Sequence, residues 1–231
     1  MTNIDWFSFE NRDYDFPFYR KNPHVPKLGW IVMFVSVVAG LFLQFLFPEI
    51  IGAIIFCAIP LLAVLHYLKW DIKSIIRKPA ARDVALAVLL FIGYMVYSIA
   101  VTLILENLGL AGSDIVTEEM ITIYSFIPLL FSMMGEELMK FIPFIFFMRL
   151  IFKYTDNRKL SVIASMLIVM VFFAFMHVMD LHSVVSCLLL QGLGSIFEFI
   201  GYIKTKNILI SYITHFCTDA FIFSIMLMGV S

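Results

Sequence analysis

The chain has 231 residues, of which 62% are hydrophobic and 14% charged, with a formal net charge of −1. A soluble domain carries about 25% charged residues, so this chain has too little polar surface to face water and lipid is its expected solvent. The near-neutral balance offers nothing to nucleic acid.

Residues 1–27 are polar and aromatic, with Pro17, Pro23 and Pro26. They read as a cytosolic or interfacial lead-in, and no cleavable signal peptide is evident. Apolar runs of about 20 residues, the length that crosses a bilayer, follow near 28–47, 50–68, 84–105, 121–152, 160–179, 183–203 and 208–230. The fold class expected is all-α, a polytopic transmembrane bundle of about seven spans. Pro128 and Pro143 predict that the fourth run is kinked, tilted or broken. The connector 70–83 mixes isoleucine with basic residues, and suits either the inner leaflet surface or solvent. Cys57, Cys187 and Cys217 lie apart in apolar runs and form no CxxC pair, as expected of small buried hydrophobes.

Basic residues test the layout. Fifteen of the sixteen fall before the first span or in the connections after spans two, four and six. The opposite loops hold Glu49, Glu106, Asp114, Glu118, Glu119 and Asp180, with no Lys or Arg. The positive-inside rule then places the N-terminus in the cytoplasm of a multi-pass cell-membrane protein. An odd span gained or lost would break this alternation.

The sixteenth basic residue, Lys140, sits inside the fourth span beside Glu136 and Glu137, in MMGEELMKFIPF. Each ionisable group at that depth costs about 2.5–3.5 kcal/mol on insertion scales. Glu136 and Glu137 stand four and three positions before Lys140, so the lysine can pair with one carboxylate and leave the other to act as a base. Phe173 and His177 share a helix face at i,i+4, as do His215 and Asp219; a carboxylate one turn from an imidazole fixes its tautomer or its charge. Glu198, in SIFEFIGY, also lies at membrane depth, as a member of the site or a partner of Lys140. His24, His66 and His182 read as surface residues. A structural ion pair explains the Glu–Glu–Lys group equally simply, and a helix–helix hydrogen bond explains either intramembrane histidine.

The ordered set Glu136-Glu137, Phe173-x-x-x-His177 and His215-x-x-x-Asp219 resembles the CPBP family of CAAX proteases and bacteriocin-processing enzymes, also called Abi. The likeness covers about residues 121–225. It implies a catalytic helical core over 121–231, behind N-terminal transmembrane helices over 28–120. It further implies a glutamate-dependent intramembrane peptidase acting on a membrane-embedded or lipidated peptide. In that reading Glu136 activates water, Glu137 supports it, His177 and His215 assist, Asp219 holds the oxyanion position and Phe173 packs. The family's first motif places Arg four positions after the second Glu, where this chain has Phe141. Lys140, three positions after, is similar to the PrsW type, whose second motif is acidic where this chain has His177. The likeness is therefore to CPBP with a variant first motif. An ionised Asp219 would repel an oxyanion, so it would act protonated or by orienting His215.

No cofactor is called for, although two Glu and two His leave zinc open as the rival chemistry; there is no HExxH. Two other functions compete: a non-catalytic partner of a membrane sensor protein, and a proton-coupled transporter, against which the missing repeat speaks. One geometric difficulty stands. Counting about 1.5 Å per residue, Glu136 lies about 26 Å from Lys153 and His177 about 27 Å from Lys159, but His215 only about 14 Å and Asp219 about 20 Å from Lys206. Either the last helix tilts, or its preceding turn dips into the protein, or the site reduces to Glu136, Glu137 and His177.

Overall fold

The computed structural model describes residues 6–20, 23–110 and 121–229. Asp114, Glu118 and Glu119 of the expected acidic loop lie outside these residues. Each apolar run becomes a helix: α1 Lys27–Gln44, α2 Glu49–Tyr67, α3 Ala81–Asn107, α4 Phe126–Thr155, α5 Arg158–Phe175, α6 Val184–Cys187 continuing into α7 Ile196–Thr205, and α8 Ile208–Leu227. Six helical stretches among the described residues are long and apolar enough to cross a membrane, with α6 and α7 counted as one. The seventh expected span is α4, a 30-residue helix, about 45 Å long, which carries the charged group and packs against α1, α2, α5 and α8. The chain is thus an all-α, polytopic membrane bundle.

The prolines do not break α4. Pro128 sits in its first turn, where no intrahelical N–H is needed, and Pro143 is absorbed in one continuous helix. The break falls instead between α6 and α7, where a π turn over Leu188–Gly192 and a 3₁₀ turn over Leu193–Ser195 interrupt the sixth span. The Tyr97 hydroxyl donates to the Leu189 carbonyl there (2.8 Å), and Gly192 lets α5 approach so closely that a Cβ would lie 2.9 Å from that of Ala174.

Gly135, just before the acidic pair, marks another close approach. A Cβ there would meet the buried Phe56 ring of α2 at 2.5 Å. Gly135→Ala is expected to lower the stability of the detergent-solubilised protein by about 1–3 kcal/mol, the usual cost of overpacking. An unchanged thermal midpoint would show that Phe56 gives way freely.

The four basic connections meet at one end of the bundle, as the alternation required. Two of them are the same turn. Thr155-Asp156-Asn157 and Thr205-Lys206-Asn207 each place the middle residue in left-handed backbone (φ 49° and 50°) and the Asn as N-cap of the next helix. In both, the Thr hydroxyl accepts from the Asn backbone N–H at 3.3 Å. They differ in depth: the first is exposed and the second buried.

The second turn is covered by the N-terminal segment, which is neither free in solvent nor spread on a membrane. The fully buried Glu10 carboxylate pairs with Arg158 Nη2 (2.7 Å) and Lys206 Nζ (2.5 Å). Trp6 lies over both cations, at 3.9 and 4.9 Å, and Phe16, Phe18 and Tyr19 are buried in the core. The 70–83 connector closes the same end and lies neither flat nor free. Its Ile75 carbonyl accepts from Ile208 N–H, and Arg77 donates to the Thr205 and Lys206 carbonyls.

Burial raises the Glu10 pKa, but the hydrogen bonds and charges of Arg158 and Lys206 outweigh it and hold the group below its ordinary 4.5. Burial, helped by the nearby Arg158 charge, outweighs what Glu10 and Asp15 offer Lys206, and lowers it to about 8. Because Glu10 titrates lower when folded, the stability it contributes is present above its unfolded pKa and is lost as pH falls through the folded one. The difference in thermal midpoint between wild type and Glu10→Gln is therefore expected to be full at pH 7 and to shrink below 4.5. A difference that holds constant into acid would show that the carboxylate is not the stabilising form.

Candidate functional site

His215 is the centre of the polar group, and α8 presents it. Ser211, His215 and Asp219 lie four apart, so they form one stripe facing α4 and α7. The imidazole Nδ1 is 2.9 Å from Glu137 Oε1, and the Ser211 hydroxyl donates to the other oxygen of Glu137. With Nδ1 engaged by Glu137, Nε2 faces two further carboxylates, Glu136 at 3.7 Å and Asp219 at 3.8 Å.

Lys140 pairs with Glu137 (2.6 Å), the i,i+3 choice, and not with Glu136. It also binds Glu198 of α7, and its Nζ stands 3.4 Å from His215 Nδ1 and 4.5 Å over the Phe173 ring. Glu137, Lys140, Glu198 and His215 are all buried. Glu136 and Asp219 remain partly open, with 20% and 28% of their side chains exposed. The fourth helix thus separates its adjacent acids by role: one locked in a charge network, the other free of any hydrogen bond among the described residues.

His177 is placed differently from expectation. It lies just past the end of α5, partly buried, with Nδ1 donating to the Phe173 carbonyl at 2.9 Å. The Phe173 ring stands between the two histidines, 4.6 Å from the His177 ring and 6.3 Å from that of His215. His177 therefore borders the group one aromatic ring away, close enough to Asp219 to interact electrostatically. The possibility that only Glu136, Glu137 and His177 form a site is overturned, because His215 sits nearest the acids. The depth difficulty resolves through the buried turn. His215, nine residues after Lys206, meets Glu137, sixteen before Lys153; the seven-residue difference is about 10 Å of helix rise, and Lys206 is buried where Lys153 is exposed.

The four-ligand zinc set does not converge, since His177 is outside it. A different trio does: Glu137, Glu198 and His215 offer ligand atoms within 4.8 Å of one another. The Lys140 ammonium occupies the middle of that trio, so a divalent ion would have to displace a buried cation already paired with two carboxylates. The donor set fits an ammonium-centred network and not a resident metal. Beside it lies a void of about 10 Å³, bordered by Glu137, Lys140, Glu198 and Ser211, room for about one water.

The chain matches no family model, no curated protein and no solved structure.

Two members of the group lay outside the motif pattern. Glu198 was visible as a lone acid at membrane depth, but its partner stands 58 positions away. Ser211 had a signal in its spacing, four before His215 and eight before Asp219. Glu49, His24, His66, Asp180 and His182 lie outside the group, and all five are exposed.

Proposed function

We propose that this chain is a glutamate-dependent intramembrane peptidase of the CPBP type, in the cell membrane with its basic end in the cytosol. One observation carries the proposal: Glu136 and Asp219, two partly open carboxylates on different helices, both face the Nε2 of a histidine whose other nitrogen is held by a buried carboxylate. Glu136 would take a proton from a water as its oxygen attacks the scissile carbonyl. The charged His215 ring would donate from Nε2 to the oxyanion. The proton on Glu136 would then pass to the leaving amine as the C–N bond breaks. Glu137, Lys140, Glu198 and Ser211 would act as positioning residues that fix the ring. Asp219 would orient His215, and Phe173 would separate it from His177. The substrate class would be a membrane-embedded or lipidated peptide.

A non-catalytic membrane scaffold is the second reading. It is favoured by the closed ion network, whose buried members satisfy one another without a ligand. Reconstituted protein incubated with membrane peptides separates the two. The peptidase reading expects cleavage that survives a chelator and is lost in Glu136→Gln. Absence of cleavage, with Glu136→Ala keeping its cellular effect, would establish the scaffold.

A further inference from the structure

A second cavity, of about 410 Å³, lies at the end of the bundle away from the N-terminal segment. That is within the range of pockets that hold small ligands, about 300–1,000 Å³. Its walls come from the α1–α2 turn, the start of α4 and the far end of α8. Gln44, Glu49, Ser125, Leu129, Ser132 and Phe223 line it.

Helical spacing connects this cavity to the polar group. Ser125, Leu129 and Ser132 stand eleven, seven and four positions before Glu136, one stripe along α4. Phe223 stands one turn beyond Asp219 on α8 in the same direction. Two helices thus carry a continuous face from the cavity to the only two open carboxylates of the group. The other end of the bundle is plugged by Glu10, Phe16, Phe18 and Tyr19.

Charge selects what fits. One helical turn below its lining residues Ser132 and Phe223 stand Glu136 and Asp219, both facing His215 Nε2. At the mouth stands Glu49, with no ion pair among the described residues. In sequence, the connections from α3 to α4 and from α5 to α6 contain acids and no Lys or Arg. The one charged residue in the lining is an acid and the two open carboxylates lie a turn below, so the cavity draws cations and repels anions.

We propose that this cavity is a vestibule which admits the non-cytosolic end of a membrane-anchored peptide bearing Lys or Arg, with the basic residue held near Glu49. From Ser125 to Glu136 is about 16 Å along the helix, which an extended peptide covers in about five residues. The basic residue therefore sits about five positions from the bond presented to Glu136. What happens at that bond rests on the peptidase reading; the binding step does not.

The test uses Glu136→Gln protein carrying Ser132→Cys, with Cys57, Cys187 and Cys217 replaced by Ala. It is probed in right-side-out and inverted membrane vesicles with a membrane-impermeant maleimide. Position 132 is expected to label only from the non-cytosolic side. An apolar helical peptide with a lysine-rich flank is expected to slow that labelling at least ~5-fold, and its twin with a glutamate-rich flank is not; that ratio corresponds to about 1 kcal/mol. Labelling only from the cytosolic side, labelling from neither side, or equal protection by both peptides would overturn the proposal. Gln44→Cys, at the mouth, serves as the reporter if the Ser132 variant does not fold. Charge-selective protection by a peptide that wild type does not cleave would keep the vestibule and remove the peptidase. Cleavage without protection would do the opposite.

Discussion

Glu136→Gln is expected to lower peptide cleavage by about 10²–10⁴-fold, the usual contribution of a positioned base, while leaving the thermal midpoint near that of wild type. The two halves of that expectation have separate causes. The Glu136 carboxylate makes no hydrogen bond among the described residues, and its one ion-pair partner among them is His215 Nε2 at 3.7 Å. An amide of the same shape therefore breaks little. It does lose the basic lone pair that would accept a proton from water. Glu137→Gln behaves differently, because Glu137 accepts from Ser211 and meets both Lys140 and His215. It should lose stability and activity together. The pair is read by measuring cleavage of a membrane peptide and thermal unfolding on the same preparations. A Glu136→Gln protein that cleaves at the wild-type rate would remove Glu136 as the base; one that melts far below wild type would make it structural.

The spans were legible because apolar length is a local property. A run of about 20 such residues declares itself whatever it packs against, and the clustering of basic connections at one end of the bundle follows from their alternation in sequence. The i,i+3 and i,i+4 pairs were legible for the same reason. Lys140 does meet Glu137, and His215 does face Asp219. What stayed hidden depends on contacts between distant segments. Glu198 reaches Lys140 from α7, just after the π and 3₁₀ turns that interrupt the sixth span, and no hydropathy pattern announces such turns. Glu10 looked like an ordinary acid in a polar leader, yet it neutralises cations 148 and 196 positions away. Its burial covers the turn at Lys206, and that cover is why counting residues from Lys206 misjudged the depth of His215. A rule that measures depth from charged residues fails where a charge is buried in protein.

Lys140→Met should be the most damaging single change to the fold near the site, at about 3–5 kcal/mol. Lys140 is the one lysine or arginine among the described residues that touches Glu137 and Glu198, both buried. Methionine matches its length and removes its charge, leaving two carboxylates to share what His215 can offer. Such a box must take up a proton or admit water, and either costs free energy in an apolar interior. The loss should be smaller in the double variant Lys140→Met with Glu198→Leu, where one buried acid leaves with the ammonium and Glu137 keeps His215 and Ser211. Additive behaviour would mean that Lys140 and Glu198 act independently; partial recovery is the signature of a coupled pair. Thermal unfolding of the two single variants and the double variant completes the cycle. Recovery of the midpoint without recovery of cleavage would further separate the roles of the ammonium: its charge balances the acids, while its position beneath the Phe173 ring and beside His215 Nδ1 sets where the imidazole points.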